Sequence, residues 1–266
     1  MQPGTQSGSV LDRILDARRA AVAHRKRVLP EAVLRMSAKK AAPVRDFRAA
    51  LTRSGVNVIA ELKKASPSRG VLREDFQVED LAPAFERSGA AALSVVTEEE
   101  FFQGSLKNMR DARRKVEIPV LRKDFIIDPW QVWETRATDG DSFLLIVAAL
   151  SDAALGELLA LGRELGMEPL VEVHTREELD RALAAGARTL GVNNRDLRTL
   201  EVRLETSFEL IDAIPEECVT VCESGIRHAS QIAALHKAGF DAFLVGEHLM
   251  TQPNPADGLM RLLAAP

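Results

Sequence analysis

The chain has 266 residues, of which 46% are hydrophobic and 28% charged, so it can bury a sizeable core as one large domain or two small ones. Its formal net charge of −4 gives no indication of a nucleic-acid partner or an acidic-membrane partner, although a local basic pocket is compatible with it. Cys218 and Cys222 are too few for a disulfide scaffold, and their spacing is not that of a zinc site.

The first ten residues are polar and lack the apolar core of a signal peptide. No run along the chain approaches the ~18 apolar residues that a membrane-spanning helix needs. We therefore expect a cytoplasmic protein with neither a membrane partner nor a nucleic-acid partner.

The first predicted helix begins near Ser9, because Ser9 and Asp12 have the spacing of a capping box. An apolar stripe follows at helical spacing. Its members are Val10, Leu11, Ile14, Leu15, Ala21 and Val22. The stripe fits a helix that plugs or flanks the main domain, and it equally fits a lid over a binding site. We assign residues 1–50 to an N-terminal extension with this helix and residues 51–266 to the main domain.

From Val56 onward, short β-rich runs alternate with stretches of helical pattern. The runs cover residues 56–61, 92–97, 119–123, 142–147, 168–173, 189–193, 219–223 and 242–246. Most are continuously apolar, as is typical of parallel strands that are covered on both faces. Their ends are roughly 21 to 36 residues apart, which leaves room for a crossover helix after each strand.

The helices between these runs have recognisable ends. Thr175 and Glu178 form a capping-box pattern, and Ser151 is placed to cap the preceding helix. Gly166 and Gly186 stand where helices are expected to end. Eight such strand–helix units predict a single-domain (β/α)8 TIM barrel, and the missing GxGxxG turn leaves an open dinucleotide-binding sheet unsupported.

Polar residues stand at or just beyond the ends of five predicted strands, where apolar residues would otherwise continue. They are Glu61, Lys63, Lys123, Glu172, Asn193, Arg195, Glu223 and Ser224. In a TIM barrel the carboxyl ends of all strands converge on the active site, so these groups are predicted to meet in one pocket. Lysines and glutamates at close range perturb each other's pKa values and suit acid–base catalysis.

We expect no metal and no cofactor in this pocket. The five histidines share no strand-end pattern, and we interpret His174 as a loop or capping residue. Glycine-containing turns follow the last two strands, at Ser224–Gly225 and at Gly246–Glu247. Barrels frequently bind phosphate there, because glycine lets backbone N–H groups approach a ligand. A phosphate ester is therefore the predicted substrate class.

Six segments together resemble the indole-3-glycerol-phosphate synthase family, in the family's order and on the expected strands. They are Glu61–Ser68 (ELKKASPS), Leu121–Phe125 (LRKDF), Pro169–Glu172 (PLVE), Gly191–Leu197 (GVNNRDL), Glu223–Ile226 (ESGI) and Phe243–Gly246 (FLVG). Of these motifs, ELKKASPS and LRKDF are the ones specific to the family. Together with the LDRIL run of the first helix, the resemblance covers essentially the whole chain.

The resemblance implies conversion of 1-(2-carboxyphenylamino)-1-deoxyribulose 5-phosphate into indole-3-glycerol phosphate by ring closure, decarboxylation and dehydration. It implies that Lys123 is the acid of ring closure. Lys63 and Glu172 are implied as the pair for dehydration, with the acid and the base left open. Glu61 is implied to orient Lys123 or the substrate hydroxyls, and Asn193 and Glu223 to hold the sugar and the lysines.

The resemblance also implies the binding residues. Arg195 is expected to pair with the anthranilate carboxylate, and Ser66 to bind substrate. The phosphate is expected on Lys63 and on the backbone of Ser224, Gly225, Gly246 and Glu247. An apolar slot for the aromatic ring is expected from Phe102, Phe125, Leu144 and Leu197.

Two alternatives stay open at this point. Other small barrels of tryptophan and histidine biosynthesis share the phosphate turn but use Cys/Asp or Asp/Asp pairs, and neither cysteine nor any aspartate ends the first strand. The second alternative is a barrel that binds a phosphorylated metabolite without catalysis. We expect a monomer or a weak homodimer. The segment from Lys64 to Gly70 is predicted to be a loop that closes over the substrate.

Overall fold

The computed structural model describes residues 8–264. Residues 1–7 lie outside the described residues. They make up most of the segment on which the prediction of no signal peptide is based. Among the residues described, no helix is long and apolar enough to cross a membrane.

Residues 8–264 form ten strands, of which eight close into a parallel barrel. They are β1 (Asn57–Leu62), β2 (Ala65–Ser66), β3 (Gly70–Val71), β4 (Ala92–Val96), β5 (Val120–Lys123), β6 (Ser142–Ile146), β7 (Leu170–Val173), β8 (Thr189–Asn193), β9 (Val219–Glu223) and β10 (Ala242–Val245). The barrel runs from β1 through β4 to β10 in chain order, and β10 pairs with β1 to close it. The predicted (β/α)8 fold is confirmed, and each predicted strand is found with ends shifted by no more than two residues.

Twelve α-helices lie within the described part of the chain. They are α1 (Val10–Val28), α2 (Glu31–Ala38), α3 (Phe47–Leu51), α4 (Val78–Arg87), α5 (Leu106–Lys115), α6 (Pro129–Ala137), α7 (Asp152–Glu164), α8 (Arg176–Ala184), α9 (Glu205–Ile211), α10 (Ala229–Lys237), α11 (Glu247–Met250) and α12 (Pro255–Leu263). Ser151 and Thr175 cap α7 and α8 as predicted. Gly166 and Gly186 follow α7 and α8 with φ of 78° and 83°, as a left-handed residue after a helix requires.

One predicted loop and one predicted cap differ from the structure. β2 and β3 pair in an antiparallel hairpin within the segment that was predicted to be an irregular loop. Glu178 does not complete a capping box on Thr175, because its carboxylate instead accepts a hydrogen bond from the backbone N–H of His174 at 2.7 Å.

The barrel interior is filled by apolar side chains, and α3 closes its amino-terminal end. Phe47 and Leu51 of α3 belong to the same buried cluster as the inward-facing strand residues Ile59 and Leu121. Arg48 reaches the carbonyl of Glu217, just before β9, which places α3 below the strand starts. The barrel is therefore filled and closed below, so a ligand enters from the opposite end.

Helix α1 contacts both the mouth and the flank of the barrel. Leu11 and Ile14, near its start, belong to the cluster that fills the barrel interior. Val22, further along, packs with Trp130 and Trp133 of α6 on the flank. The capping box of Ser9 is confirmed. The predicted boundary at residue 50 falls inside α3, so the division between the extension and the barrel stays a prediction.

A buried network of ion pairs links α1, β5 and α6. Arg122 of β5 is fully buried, and its guanidinium lies 3.0 Å from Asp124 and 2.9 Å from Glu134. Arg18 of α1 pairs with the other oxygen of Asp124 at 3.0 Å, and Arg25 pairs with Glu134. Alternating charges of this kind offset the cost of burying each ion. The network fixes the strand that ends in Lys123.

Candidate active site

A cavity of about 350 Å³ opens at the carboxyl ends of the strands. Every site residue selected from the sequence lines it. These residues are Glu61, Lys63, Ser66, Phe102, Lys123, Phe125, Leu144, Glu172, Asn193, Arg195, Leu197, Glu223, Ser224, Gly225, Gly246 and Glu247. They come from all eight barrel strands or the loops that follow them, because the barrel brings the ends of distant segments together.

The central feature is a lysine held between two buried carboxylates. The Nζ atom of Lys123 donates a hydrogen bond to Oε2 of Glu172 at 2.8 Å and lies 3.4 Å from Oε2 of Glu223. The side chains of Glu172 and Glu223 are almost fully buried, whereas that of Lys123 keeps 17% of its surface exposed. The ammonium is therefore the member of this trio that a substrate meets first.

These three groups differ in protonation. Burial opposes charging of Lys123, but Glu172, Glu223 and Glu61 overcome it and raise the pKa of Lys123 above its usual range. Burial also opposes ionisation of Glu172, but Lys123 and His174 outweigh it and lower the pKa of Glu172. For Glu223, burial outweighs the attraction of Lys123, and with repulsion from Glu172 and Glu61 it raises the pKa to about 8. The ammonium of Lys123 therefore lies between two carboxyl groups whose pKa values are shifted in opposite directions.

A second lysine–carboxylate pair lies at the end of β1. The Nζ atom of Lys63 is 2.6 Å from Oε2 of Glu61. The carboxylate of Glu61 therefore holds Lys63 directly, whereas the resemblance implied that it orients Lys123 or the substrate hydroxyls. Lys63 keeps 17% of its side-chain surface exposed, so its ammonium also faces the cavity.

Two glycines make room for the buried carboxylates. A Cβ added to Gly191 of β8 would fall on Oε1 of Glu223 in the neighbouring strand β9. A Cβ added to Gly246, just after β10, would fall on Oε2 of Glu61 in β1. Glycine at these positions is therefore needed for the side-chain geometry of the site, and Gly246 has this role besides any backbone contact with a ligand.

Glu247 holds two arginines at the mouth. Its Oε2 accepts a hydrogen bond from Arg195 at 3.1 Å, and its Oε1 accepts one from Arg69 at 3.1 Å. Arg69 lies in the turn of the β2–β3 hairpin, and Arg195 follows β8. The pairing joins two loops across the mouth.

A tight turn follows β9. Ser224 and Gly225 have φ of 65° and 85°, so two successive residues adopt the left-handed conformation. The side chain of Asn194 donates hydrogen bonds to the carbonyls of Glu223 and Ser224, at 2.9 Å and 3.1 Å. Turns of this kind can present successive backbone N–H groups to an anion.

The opposite side of the cavity is apolar. The rings of Phe102 and Phe125 are tilted at 42° with their centroids 6.3 Å apart. Leu144 lines the same region, and so do Leu11 and Ile14 of α1. The helix contribution could not be located from periodicity alone, because the same stripe fits a plug, a flank or a lid.

Sequence reasoning missed the contacts of Arg69 and His174. Arg69 lies inside the segment that was predicted to cover the site, so its place in the chain was a usable signal. His174 was interpreted as a loop or capping residue. Its backbone does take part in the start of α8, but its ring lies 3.3 Å from Glu172, which is a contact that the interpretation omitted.

The fold is shared with solved barrels of low sequence identity. One is the 3-hexulose-6-phosphate synthase from Salmonella typhimurium, with a TM-score of 0.64 and 11% identity over 79% of this chain and 98% of that one. Another is the N-acetylmannosamine-6-phosphate 2-epimerase from Clostridium perfringens, with a TM-score of 0.61 and 14% identity over 80% and 93%. At this identity the likeness concerns the fold alone.

Sequence comparison is far more specific. The family model described as indole-3-glycerol phosphate synthase matches residues 11–262. The indole-3-glycerol phosphate synthase of Rhodococcus jostii is 48% identical over 97% of this chain and 96% of that protein. The one of Aromatoleum aromaticum is 45% identical over 95% and 98%. The chain therefore belongs to the indole-3-glycerol phosphate synthase family, whose members are carboxy-lyases of tryptophan biosynthesis that act on a phosphorylated small molecule.

Proposed function

We propose that this cavity carries out the ring closure, decarboxylation and dehydration of 1-(2-carboxyphenylamino)-1-deoxyribulose 5-phosphate by general acid–base catalysis with its own side chains. The observation that carries the assignment is the placement of two lysine–carboxylate groups, Lys123 with Glu172 and Lys63 with Glu61, around one cavity. Two ammonium groups and a carboxylate supply the acids and the base that the sequence of steps needs.

In the first step Lys123 is the proton donor. The ring carbon that bears the carboxylate attacks the ribulose carbonyl carbon, and the carbonyl electron pair moves to oxygen. Lys123 transfers a proton to that oxygen as it becomes an alkoxide, which is a stronger base than the amine. Carbon dioxide then leaves, and its bonding electrons restore the aromatic ring.

In the dehydration Glu172 is the base and Lys63 the acid. Glu172 is ionised at neutral pH, because Lys123 and His174 outweigh the burial that opposes ionisation and lower its pKa. A carboxylate in this state can take the proton from the ring nitrogen, whose electron pair then expels the hydroxyl; return of this proton to nitrogen, as the neighbouring methylene carbon loses one, completes the indole. Lys63 gives its proton to the departing hydroxyl, which leaves as water, and Glu61 at 2.6 Å keeps that ammonium in place.

The two anionic ends of the substrate bind at different places. The phosphate lies against the backbone of Ser224, Gly225, Gly246 and Glu247, with Lys63 nearby. The turn after β9, in which two successive residues are left-handed, supports this placement. The anthranilate carboxylate pairs with Arg195, which in this structure is held by Glu247.

The remaining groups hold the neutral parts of the substrate. The aromatic ring lies in the slot formed by Phe102, Phe125, Leu144 and Leu197, all of which line the cavity. Ser66 binds substrate from β2. Asn193 and Glu223 contact the sugar hydroxyls, and Glu223 also holds Lys123.

A direct assay tests the proposal. The purified chain is incubated with the deoxyribulose substrate at neutral pH, and indole fluorescence is followed with time. We expect turnover that needs no added metal or cofactor. A folded protein that forms no indole product would contradict the proposal, and binding without turnover would favour the alternative of a non-catalytic barrel.

Replacing the proposed base should change the pH profile. We expect Glu172→Gln to lower kcat by about 10²-fold or more, because the amide cannot accept the proton. In the native enzyme the acid limb due to Glu172 should lie below the ordinary carboxyl pKa of 4.5, since the pKa of Glu172 is lowered. That limb should disappear in the variant. Glu177→Gln, which removes an exposed carboxylate from the first turn of α8, serves as the control for the loss of a nearby charge, and a native pH profile in Glu172→Gln would refute the base role.

Filling the space beside Glu223 should slow the enzyme without unfolding it. In Gly191→Ala the new methyl group displaces the carboxylate of Glu223, so we expect kcat to fall by about tenfold or more. Gly156→Ala in α7 is the matched control, because its Cβ meets no atom within 4 Å and should only favour the helix. Shortening the carboxylate with Glu223→Asp in the Gly191→Ala background should cost less than the sum of both single changes. Additive losses would show that displacement of Glu223 is not the cause.

The other expectations stay proposals. We propose that the protein is cytoplasmic and acts as a monomer or a weak homodimer. Size-exclusion chromatography with light scattering at several concentrations measures the oligomeric state. A stable oligomer larger than a dimer would contradict the proposed monomer or weak homodimer. The division into an extension over residues 1–50 and a barrel over residues 51–266 is testable by expressing the second part alone.

A further inference from the structure

The loop between β7 and α8 contains a histidine that contacts two carboxylates. Nε2 of His174 lies 3.3 Å from Oε1 of Glu172, and Nδ1 lies 3.1 Å from Oε2 of Glu178. Its side chain keeps 11% of its surface exposed, and it is not among the residues that line the cavity. The ring therefore contacts the proposed base from behind, on the side away from the substrate.

The far end of this bridge is anchored to the start of α8. Glu178 accepts a hydrogen bond from the backbone N–H of His174 at 2.7 Å, and its own N–H donates to the side chain of capping residue Thr175 at 3.2 Å. Glu178 is thus fixed by local helix geometry. A ring that contacts it is held relative to the barrel and cannot rotate freely.

The near end of the bridge completes the surroundings of Glu172. Lys123 takes one oxygen of this carboxylate at 2.8 Å, and His174 takes the other. Nε2 of His174 and Oε1 of Glu172 lie within ion-pair distance of each other. Neither atom has a partner with hydrogen-bond geometry among the described residues. A contact of this kind acts mainly through charge and position.

From these contacts we infer that His174 is a positioning residue, which holds the carboxylate of Glu172 in its ionised, base-competent arrangement by bridging it to Glu178. This inference rests on the proposed role of Glu172. Burial opposes charging of the ring, but Glu172 and Glu178 overcome it and raise the pKa of His174 to about 10, so the bridge is cationic at neutral pH. Removing that cation should raise the pKa of Glu172.

The test compares His174→Gln with the native enzyme in the full chain. We expect kcat to fall by about tenfold or more, because Glu172 loses the group that holds it. KM should change by less than about threefold, because the substrate does not touch the ring. The acid limb of kcat/KM should move to higher pH. His174→Lys, which keeps a cation beside Glu172, should hold the limb closer to its native position, and Glu178→Gln should shift it in the direction of His174→Gln by a smaller amount.

The controls separate this role from a structural one. His236→Gln on α10 makes the same substitution at a ring that contacts the backbone carbonyl of Phe240, and it should leave the pH profile unchanged. Thermal melts check that each variant is folded. If His174→Gln is folded and keeps native kcat and acid limb, or if it lowers thermal stability while activity per folded molecule stays native, the positioning role is wrong. If Glu172→Gln is native as well, the proposed base has failed instead.

Discussion

Lys123→Ala is expected to lower kcat by about 10³-fold or more while the folded protein still binds substrate within a few-fold of the native affinity. The change removes the ammonium that lies 2.8 Å from Glu172 and 3.4 Å from Glu223, so ring closure loses its proton donor. It also leaves two buried carboxylates without their shared cation. Single-turnover fluorescence measures the chemical step, and quenching of fluorescence on titration measures binding.

Two further variants show what the lysine supplies. Lys123→Arg keeps the charge between the two carboxylates, but a guanidinium does not release its proton at neutral pH. We expect it to fold and to remain slow. Lys64→Ala changes a lysine that does not line the cavity and should stay within about threefold of native kcat. Near-native turnover in Lys123→Arg would show that the charge alone is needed, and would remove the acid role.

Arg122→Met is expected to destabilise the protein by about 3–5 kcal/mol, because it removes the central cation of a buried network. The side chain of Arg122 is fully buried and contacts both Asp124 and Glu134. Methionine fills similar volume, so the loss reflects uncompensated charge more than a cavity. Urea titration at pH 7 followed by circular dichroism measures the change in the free energy of unfolding.

A surface pair and the pH dependence provide the checks. Arg176→Met breaks the exposed pair with Asp180 and should cost no more than about 1 kcal/mol.

Burial opposes ionisation of Asp124, but Arg122 and Arg18 overcome it and lower its pKa. A lowered carboxyl pKa contributes stability above the unfolded value of 3.8, and this is lost as the pH falls through the folded value. The difference between Arg122→Met and native protein should therefore stay constant above about pH 5 and shrink below about pH 4. A loss that stays the same at low pH would point to packing and not to charge.

The barrel was predictable because its strands are buried on both sides. Each strand reads as a continuous apolar run, and the length of chain between runs permits only a crossover. The β2–β3 hairpin was not predictable in this way, since two-residue strands carry no hydrophobic pattern. The place of α1 was also open. Its apolar stripe, which includes Leu11, Ile14 and Val22, shows that one face of the helix is buried. The stripe does not show which part of the barrel that face packs against.

The composition of the site was predictable, but its pairings were not. A polar residue at a buried strand end, such as Glu172 or Glu223, stands out against apolar neighbours, and barrel geometry places all such residues together. Which carboxylate contacts which lysine depends on side-chain rotamers and on the space that neighbours leave. Glu61 reaches Lys63 in part because Gly246 leaves that space. The ring of His174 was missed because the sequence shows only that it follows a strand.

Helix α1 has a consequence for the order of events during synthesis. It is made before the barrel strands, yet its partners on the flank are Asp128 and Trp130, which lie 102 and 101 residues further along the chain than Lys26 and Leu29. While the ribosome is still producing the first two strand–helix units, the apolar stripe has nothing to cover. Docking of α1 must therefore wait for the third unit, and closure of so long a loop is slow. If synthesis of the chain stops before α6 is made, the apolar stripe stays exposed and becomes a binding site for a chaperone.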